Sequence, residues 1–198
     1  MISEALKARM REVVARYPSP RSAMLPCLHL VQDELGYIPD EGVVAVADVL
    51  GVKPDEVESI VTFYSMFHKS PQGRYVLKVC TSVSCYLGGC DDTLALLEAR
   101  LGVRRGETTV DGQFTLEAVE CLAGCGMAPA MQVNGLFVER ADPARAEALV
   151  AYLKAGGDVE GVRNLWRTME DGKGMATATT IGAEPTNGNG AEPAKKAR

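Results

Sequence analysis

The first part of the chain carries apolar side chains at the spacing of an α-helix. In residues 1–17 they recur every three or four positions, as at Leu6 and Met10, until Pro18 breaks the pattern. The same period returns in three further segments, residues 21–35, 40–50 and 53–64. Glycine or proline marks the ends of these segments, as is typical of short helices. The pattern predicts an N-terminal four-helix bundle over residues 1–70.

The chain beyond Pro71 has the pattern of short strands and tight turns mixed with helices. Strand-like runs of β-branched and aromatic residues occupy residues 74–79, 114–120, 130–133 and 136–139. Helical runs occupy residues 91–101 and 142–153. Asn134-Gly135, between the last two strands, is a strong signal for a β-hairpin. The order of elements predicts an α+β (α/β) protein whose second domain spans residues 71–160.

Composition and charge narrow the possible partners. A chain of 198 residues with 46% hydrophobic content is long enough to bury the core of one or two domains. The net charge of -5 offers no broad basic face, which argues against a nucleic-acid partner. From about Thr168 the chain is rich in Thr, Ala, Pro, Asn and Gly, so residues 161–198 are predicted to be a C-terminal extension that is largely a disordered tail.

The sequence shows no signal for export or for membrane insertion. Glu4 follows the start at once and no apolar stretch of the signal-peptide type accompanies it. The longest apolar run, residues 43–50, contains Asp48 and is far shorter than the roughly 18 residues that cross a bilayer. We therefore expect no direct membrane span and a reducing cytoplasm, where persistent disulfides are disfavoured.

Six cysteines provide the candidate chemistry of the chain. Cys80 and Cys85 follow the first predicted strand, and Cys121 and Cys125 follow the second. Cys90 lies as far beyond Cys85 as Cys85 lies beyond Cys80, so spacing alone leaves two pairings open. The sixth, Cys27, falls on the apolar side of the second predicted helix and is expected to be a small core residue.

Three kinds of thiol chemistry are compatible with these positions. Dithiol exchange is disfavoured because the chain has no Cys-x-x-Cys motif. Structural zinc suits four thiolates, but zinc sites mostly use tighter knuckles. A two-iron cluster fits better, because two loops that each supply two thiolates can enclose it. Nearby glycines permit positive φ angles and close backbone approach, so that N–H groups point at the sulfurs: Gly88, Gly89, Gly124 and Gly126. His29 and His68 lie outside the cysteine loops and are expected to have packing or surface roles.

The motifs around the cysteines resemble a known family. Val79-Cys80-x4-Cys85, the segment Val119-Glu-Cys-Leu-Ala-Gly-Cys-Gly-Met-Ala-Pro-Ala and Gln132-Val-Asn-Gly are similar to the thioredoxin-like [2Fe-2S] ferredoxin subunit of NADH:quinone oxidoreductase, complex I. The similarity continues upstream through residues 34–39 and 61–67 and covers roughly residues 10–156. The resemblance implies a thioredoxin-like [2Fe-2S] ferredoxin domain after the helical bundle. It further implies that one [2Fe-2S] cluster is bound by four cysteines, Cys80, Cys85, Cys121 and Cys125.

The resemblance also implies a function. The chain would be a one-electron carrier that exchanges electrons with the FMN of an adjacent NADH-oxidising flavoprotein subunit. It would have no complete active site of its own, and would lie in the bacterial cytoplasm, peripheral to the inner membrane, as part of a larger respiratory complex. The equivalent diaphorase subunit of an NAD-linked hydrogenase or formate dehydrogenase remains an alternative, and a zinc-stabilised interaction module is an alternative of another class.

Overall fold

The computed structural model describes residues 2–170 and mixes helix with sheet, as the sequence predicts. Its helices are α1 (Glu4–Val14), α2 (Met24–Leu35), α3 (Asp40–Leu50), α4 (Pro54–Phe63), α5 (Val83–Leu87), α6 (Cys90–Leu101), α7 (Pro143–Lys154) and α8 (Val159–Glu170). Its strands are β1 (Tyr75–Cys80), β2 (Glu107–Thr108), β3 (Phe114–Val119), β4 (Met131–Val133) and β5 (Leu136–Val138). None of the helices in this part of the chain is long and apolar enough to cross a membrane.

The described residues divide into two compact units. The first contains the chain up to Val76 together with Gly106–Thr115. The second contains Leu77–Arg105 and the described residues from Leu116 onward. Strands β1 and β3 therefore contribute residues to both units. The division into domains at residue 70 stays a prediction from the sequence.

Each of the four helices predicted in the first unit is present, and local signals explain where they begin and end. The Ser3 side chain accepts the N–H of Leu6 and caps α1. Gly36 and Gly51 adopt left-handed conformations directly after α2 and α3, which only glycine does without strain. The apolar faces of these helices form one core, whose fully buried members include Leu6, Met10, Cys27, Leu28, Val31, Val46 and Val57.

The sheet has the strand order β2-β3-β1-β4-β5. The N–H of Tyr75, at the start of β1, donates to the carbonyl of Gln113, just before β3. The N–H of Thr81, just after β1, donates to the carbonyl of Val119, at the end of β3. Strands β1 and β3 therefore run parallel. Strand β4 pairs with β1 in the antiparallel sense, and β4 and β5 form the predicted hairpin. At its turn, Asn134 and Gly135 have φ angles of 47° and 81°, as a two-residue type I′ turn requires.

The last described element of the second unit is a helix that the sequence pattern was not used to predict. Helix α8 occupies the first residues of the segment assigned to the C-terminal extension, and packs against α7 and β5. Its buried residues Val162, Leu165 and Trp166 recur at helical spacing, which is the signal that could have identified it. The remainder of the predicted disordered tail, from residue 171, lies outside the described residues.

Candidate metal centre

The two cysteine groups follow neighbouring strands of the sheet. Cys80 is the last residue of β1, and Cys121 follows the end of β3 by two residues. Both the N–H and the hydroxyl of Thr81 donate to the carbonyl oxygen of Val119, at 2.9 and 3.0 Å. Because β1 and β3 are parallel, both groups emerge at the same edge of the sheet.

Cys80 and Cys85 form a buried pair. Helix α5, which the sequence analysis missed, turns the chain back after β1 so that the thiol of Cys85 hydrogen-bonds to that of Cys80. The sulfur of Cys80 also accepts the backbone N–H groups of Ser82 and Leu122. Since Leu122 directly follows Cys121, this last bond connects Cys80 to the second cysteine group.

These contacts shift the pKa values of the two thiols in opposite directions. Burial disfavours the thiolate of Cys80, but the hydrogen bonds from the N–H groups of Leu122 and Ser82 and from the Cys85 thiol together lower the pKa of Cys80 below its usual value. Burial raises the pKa of Cys85 to about 11, against the opposing effect of the Ala130 N–H, which donates to its sulfur at 3.4 Å.

Cys121 and Cys125 lie on an exposed loop. The Ala123 N–H donates to Sγ of Cys121 at 3.3 Å, and Ala123 itself has a φ angle of 61°, in the left-handed region. A Cβ atom on Gly124 would lie 2.8 Å from the ring of Phe137 in β5, so only glycine fits under this ring. The loop is thus shaped by hydrogen bonding at one end and by contact with an aromatic ring at the other.

The glycines near the cysteines act differently from the sequence-based expectation. Of the four, only Gly89 has a positive φ angle, 89°. Gly88, like Gly124, lies where a side chain would be crowded by its neighbours. A Cβ atom on Gly88 would lie 3.2 Å from Cβ of Ala128. Gly126 has open space around it. The crowding at Gly88 and Gly124 involves atoms other than the cysteine sulfurs, so the expectation that these glycines direct N–H groups at the sulfurs stays a prediction. The left-handed residue within the second loop is Ala123, which no sequence signal indicated.

The remaining cysteines and the histidines lie elsewhere. Cys90 begins α6 and is completely buried, and burial together with Asp91 raises the pKa of its thiol. Cys27 is a core residue, as predicted, and burial raises its pKa to about 11. Both histidines belong to the first unit, where the ring of His29 lies 5.0 Å from that of Phe67.

The donor chemistry of the site fits an iron–sulfur cluster. Among residues 2–170, no three side chains of His, Cys, Asp or Glu are already gathered closely enough to hold a metal ion. The two cysteine groups are instead connected through backbone N–H groups of the second segment, those of Leu122 and Ala130, which donate to the sulfurs of Cys80 and Cys85. Thiolates with N–H donors are the environment that cluster sulfurs require.

Comparison with known proteins finds a matching family and similar subunits of NADH-quinone oxidoreductases. Residues 10–154 match the family of thioredoxin-like [2Fe-2S] ferredoxins. The chain is 43% identical over 157 residues to a subunit of the NADH-quinone oxidoreductase of Rhizobium meliloti, covering 79% of this chain and 94% of that protein. It is 41% identical over 154 residues to NADH-quinone oxidoreductase subunit 2 of Thermus thermophilus, covering 76% and 85%.

Two further comparisons involve longer proteins. The chain is 41% identical over 150 residues to the corresponding NADH-quinone oxidoreductase subunit of Mycobacterium tuberculosis, which covers 76% of this chain and 60% of that protein. The fold is shared with an NAD+-reducing [NiFe]-hydrogenase in its air-oxidized state, with a TM-score of 0.64 and 23% identity, over 72% of this chain and only 24% of the hydrogenase chain. From the match over residues 10–154, and from relatives 43% and 41% identical along most of their length, we conclude that the chain belongs to the thioredoxin-like [2Fe-2S] ferredoxin family.

Proposed function

We propose that this chain is a one-electron carrier subunit of an NADH-quinone oxidoreductase, an oxidoreductase complex of the electron-transport chain. The observation that carries the proposal is identity of 37–43% to subunits of such enzymes over most of their length. The hydrogenase shares the fold at 23% identity, and the match spans a small part of its own chain, so sequence favours the quinone-linked assembly.

Four thiolates are proposed to hold one [2Fe-2S] cluster: those of Cys80, Cys85, Cys121 and Cys125. When bound, such a cluster supplies a centre that accepts and returns one electron at a time. The N–H groups of Leu122, Ala123 and Ala130 donate to sulfurs of this set, and such donors stabilise added negative charge. Asp91 and Asp92, in the first turn of α6, oppose that effect because they add negative charge nearby in the chain.

The surface beside the site supports docking of a protein partner. Helix α5 turns apolar side chains outward while Cys85 faces inward, and Val83, Tyr86 and Leu87 are 74%, 60% and 81% exposed. Met127, on the second cysteine loop, is 40% exposed. Such a group of exposed apolar side chains is typical of an interaction surface. We assign it to the NADH-oxidising flavoprotein subunit, whose FMN would exchange electrons with the site; FMN is expected on that partner and not on this chain.

Helices α1 to α4 are proposed to form a four-helix bundle that extends the ferredoxin domain. The complex is proposed to lie on the cytoplasmic side of a bacterial inner membrane, with this chain peripheral to it.

The proposal is tested by purifying the full chain anaerobically and with its native partners. We expect a coloured protein that contains iron and acid-labile sulfide in equal amounts and that co-purifies with an FMN-containing, NADH-oxidising flavoprotein. A colourless protein with bound zinc and no labile sulfide would instead establish the zinc-stabilised module. Co-purification with a hydrogenase or formate dehydrogenase would keep the carrier function and change the assembly.

A further inference from the structure

A single peptide group connects helix α8 to the second cysteine loop. The indole N–H of Trp166 donates to the carbonyl oxygen of Glu139 at 2.6 Å. The same peptide group carries the N–H of Arg140, which donates to the carbonyl oxygen of Met127 at 2.9 Å. The C=O and N–H of a trans peptide point in opposite directions within one plane. The two hydrogen bonds therefore fix this group from both sides.

The backbone around this peptide group needs such support. Arg140 has a φ angle of 50°, in the left-handed region that disfavours residues with a side chain. The next residue is also held at both ends: the N–H of Ala141 donates to the carbonyl of Pro129 at 2.8 Å, and its carbonyl accepts the hydroxyl of the buried Thr93 at 2.7 Å. The segment after β5 is thus a fixed support for the loop.

The part of the loop that is bonded to this segment reaches both cysteine groups. The N–H of Met127 donates to the carbonyl of Gly124, the residue before Cys125, at 3.0 Å. Ala130 donates its N–H to Sγ of Cys85 at 3.4 Å and accepts the N–H of Cys80 at 3.0 Å. A displacement of residues 127–130 would therefore change the positions of Cys80, Cys85 and Cys125 together.

Helix α8 is itself held firmly enough to fix the indole. Trp166 is only 6% exposed, so its ring is enclosed by its neighbours. Gly161 lies against the side chain of Tyr152 on α7, and a Cβ atom there would collide with the Tyr152 hydroxyl. The close contact between α7 and α8 determines where the Trp166 ring lies.

We infer that Trp166 is a positioning residue for the cysteine site, and that it acts through the Glu139–Arg140 peptide group. The inference rests on the proposed function, since it assumes that the four thiolates bind the cluster. The Trp166 hydrogen bond to Glu139 and the Arg140 hydrogen bond to Met127 share one peptide group, so each polarises and strengthens the other. Met127 carries the effect further through its backbone, because its own N–H donates to the carbonyl of Gly124. Loss of the indole donor leaves the peptide group fixed at one side only and loosens the loop.

The test compares Trp166→Phe with the wild-type full chain, both loaded with their cluster. Phenylalanine keeps an aromatic ring in the α8 interface and removes the N–H donor. We expect the reduction potential and the electron paramagnetic resonance spectrum of the reduced cluster to shift. We also expect iron release to a chelator to be roughly fivefold faster, the factor that corresponds to one hydrogen bond of about 1 kcal/mol.

The matched control is Val162→Ala on the same helix, which loses buried volume but no hydrogen bond. It should lower the Tm while leaving the potential and the spectrum unchanged. The inference is wrong if Trp166→Phe has the wild-type potential, spectrum and release rate, or if Val162→Ala shifts the potential equally. A wild-type chain that binds no iron and sulfide would overturn the proposed function as well, whereas a loaded wild type with an unaltered Trp166→Phe variant overturns this inference alone.

Discussion

Ala130 donates its backbone N–H to Sγ of Cys85 across 3.4 Å, although the two residues are 45 positions apart in the chain. The same residue accepts the N–H of Cys80. Ala130 therefore holds the sulfur of one cysteine and the backbone of another in a fixed relation. The choice of Cys85 over Cys90 as a ligand, which cysteine spacing left open, stays a prediction.

Replacement of Cys85 and of Cys90 by alanine should have different effects on the site. Both thiols are buried, so the two variants lose similar packing and serve as controls for each other. We expect Cys85→Ala to lose or destabilise the cluster and Cys90→Ala to keep it. Visible absorption with iron and sulfide content measures the difference. Native spectra in Cys85→Ala together with cluster loss in Cys90→Ala would show that the ligand assignment is wrong.

Gly124→Ala should disrupt the second cysteine loop through steric overlap. The added Cβ would lie 2.8 Å from the Phe137 ring, and overpacking of this kind costs about 1–3 kcal/mol. We expect a lower Tm and a smaller fraction of chains that retain the cluster. Gly126→Ala is the matched control, because open space surrounds Gly126 and its φ angle is not positive.

A second replacement tests the cause of the Gly124→Ala defect. Phe137→Leu removes the ring that the new Cβ would meet, so the double variant should regain much of the lost cluster content. A double variant as defective as Gly124→Ala alone would mean that the ring contact is not the cause.

Leu87→Asp should weaken association with the flavoprotein subunit. Leu87 is 81% exposed on α5, and a carboxylate there would have to be desolvated on docking. Loss of a central apolar contact typically weakens an interface about tenfold or more. Val110→Asp is the control, since Val110 is also fully exposed but lies in the first unit. Titration by surface plasmon resonance compares the Kd values; equal losses for both variants would contradict the assignment of the docking surface.

Cys27 should make stability depend on pH in alkaline solution. Burial raises the pKa of its thiol from 9.0 to about 11. Because the folded state holds this proton more tightly, the contribution to stability is complete below pH 9 and is lost as pH rises through 11. The loss amounts to roughly 3 kcal/mol, since one pKa unit corresponds to about 1.4 kcal/mol. Urea unfolding at several alkaline pH values, in wild type and Cys27→Ala, isolates the effect. A slope that persists unchanged in the variant would assign it to other groups.

The long periodic elements were predictable, and the short or irregular ones were not. Helices α1 to α4, α6 and α7 bury one apolar face each, which is the property that periodicity detects. Helix α5 does the reverse, since Val83 and Leu87 point outward and only Cys85 is buried. Because Cys85 is the residue of this helix that is buried, its apolar residues gave no helical signal. Helix α8 was missed for a different reason. A low-complexity sequence follows it directly, and most of the helix was assigned together with that sequence to the predicted extension.

The positions of the cysteines were predictable, but their environment was not. Cysteine directly after a strand-like run was enough to predict two loops that each carry two thiols. The N–H donors of Leu122 and Ala130 depend on contacts between distant segments, which no local pattern encodes. The same holds for Ala123, whose left-handed backbone falls at a residue type that rarely adopts it.

The fluorescence of Trp166 can report on the state of the cysteine site. The chain contains one tryptophan, so all emission excited at the red edge of indole absorption comes from this residue. Its ring is hydrogen-bonded to Glu139, next to the residue that holds Met127 of the second cysteine loop. A visible-absorbing group bound by that loop would quench the emission. Cluster insertion, cluster loss and partner docking could therefore be followed in real time, without a label and without altering a single residue.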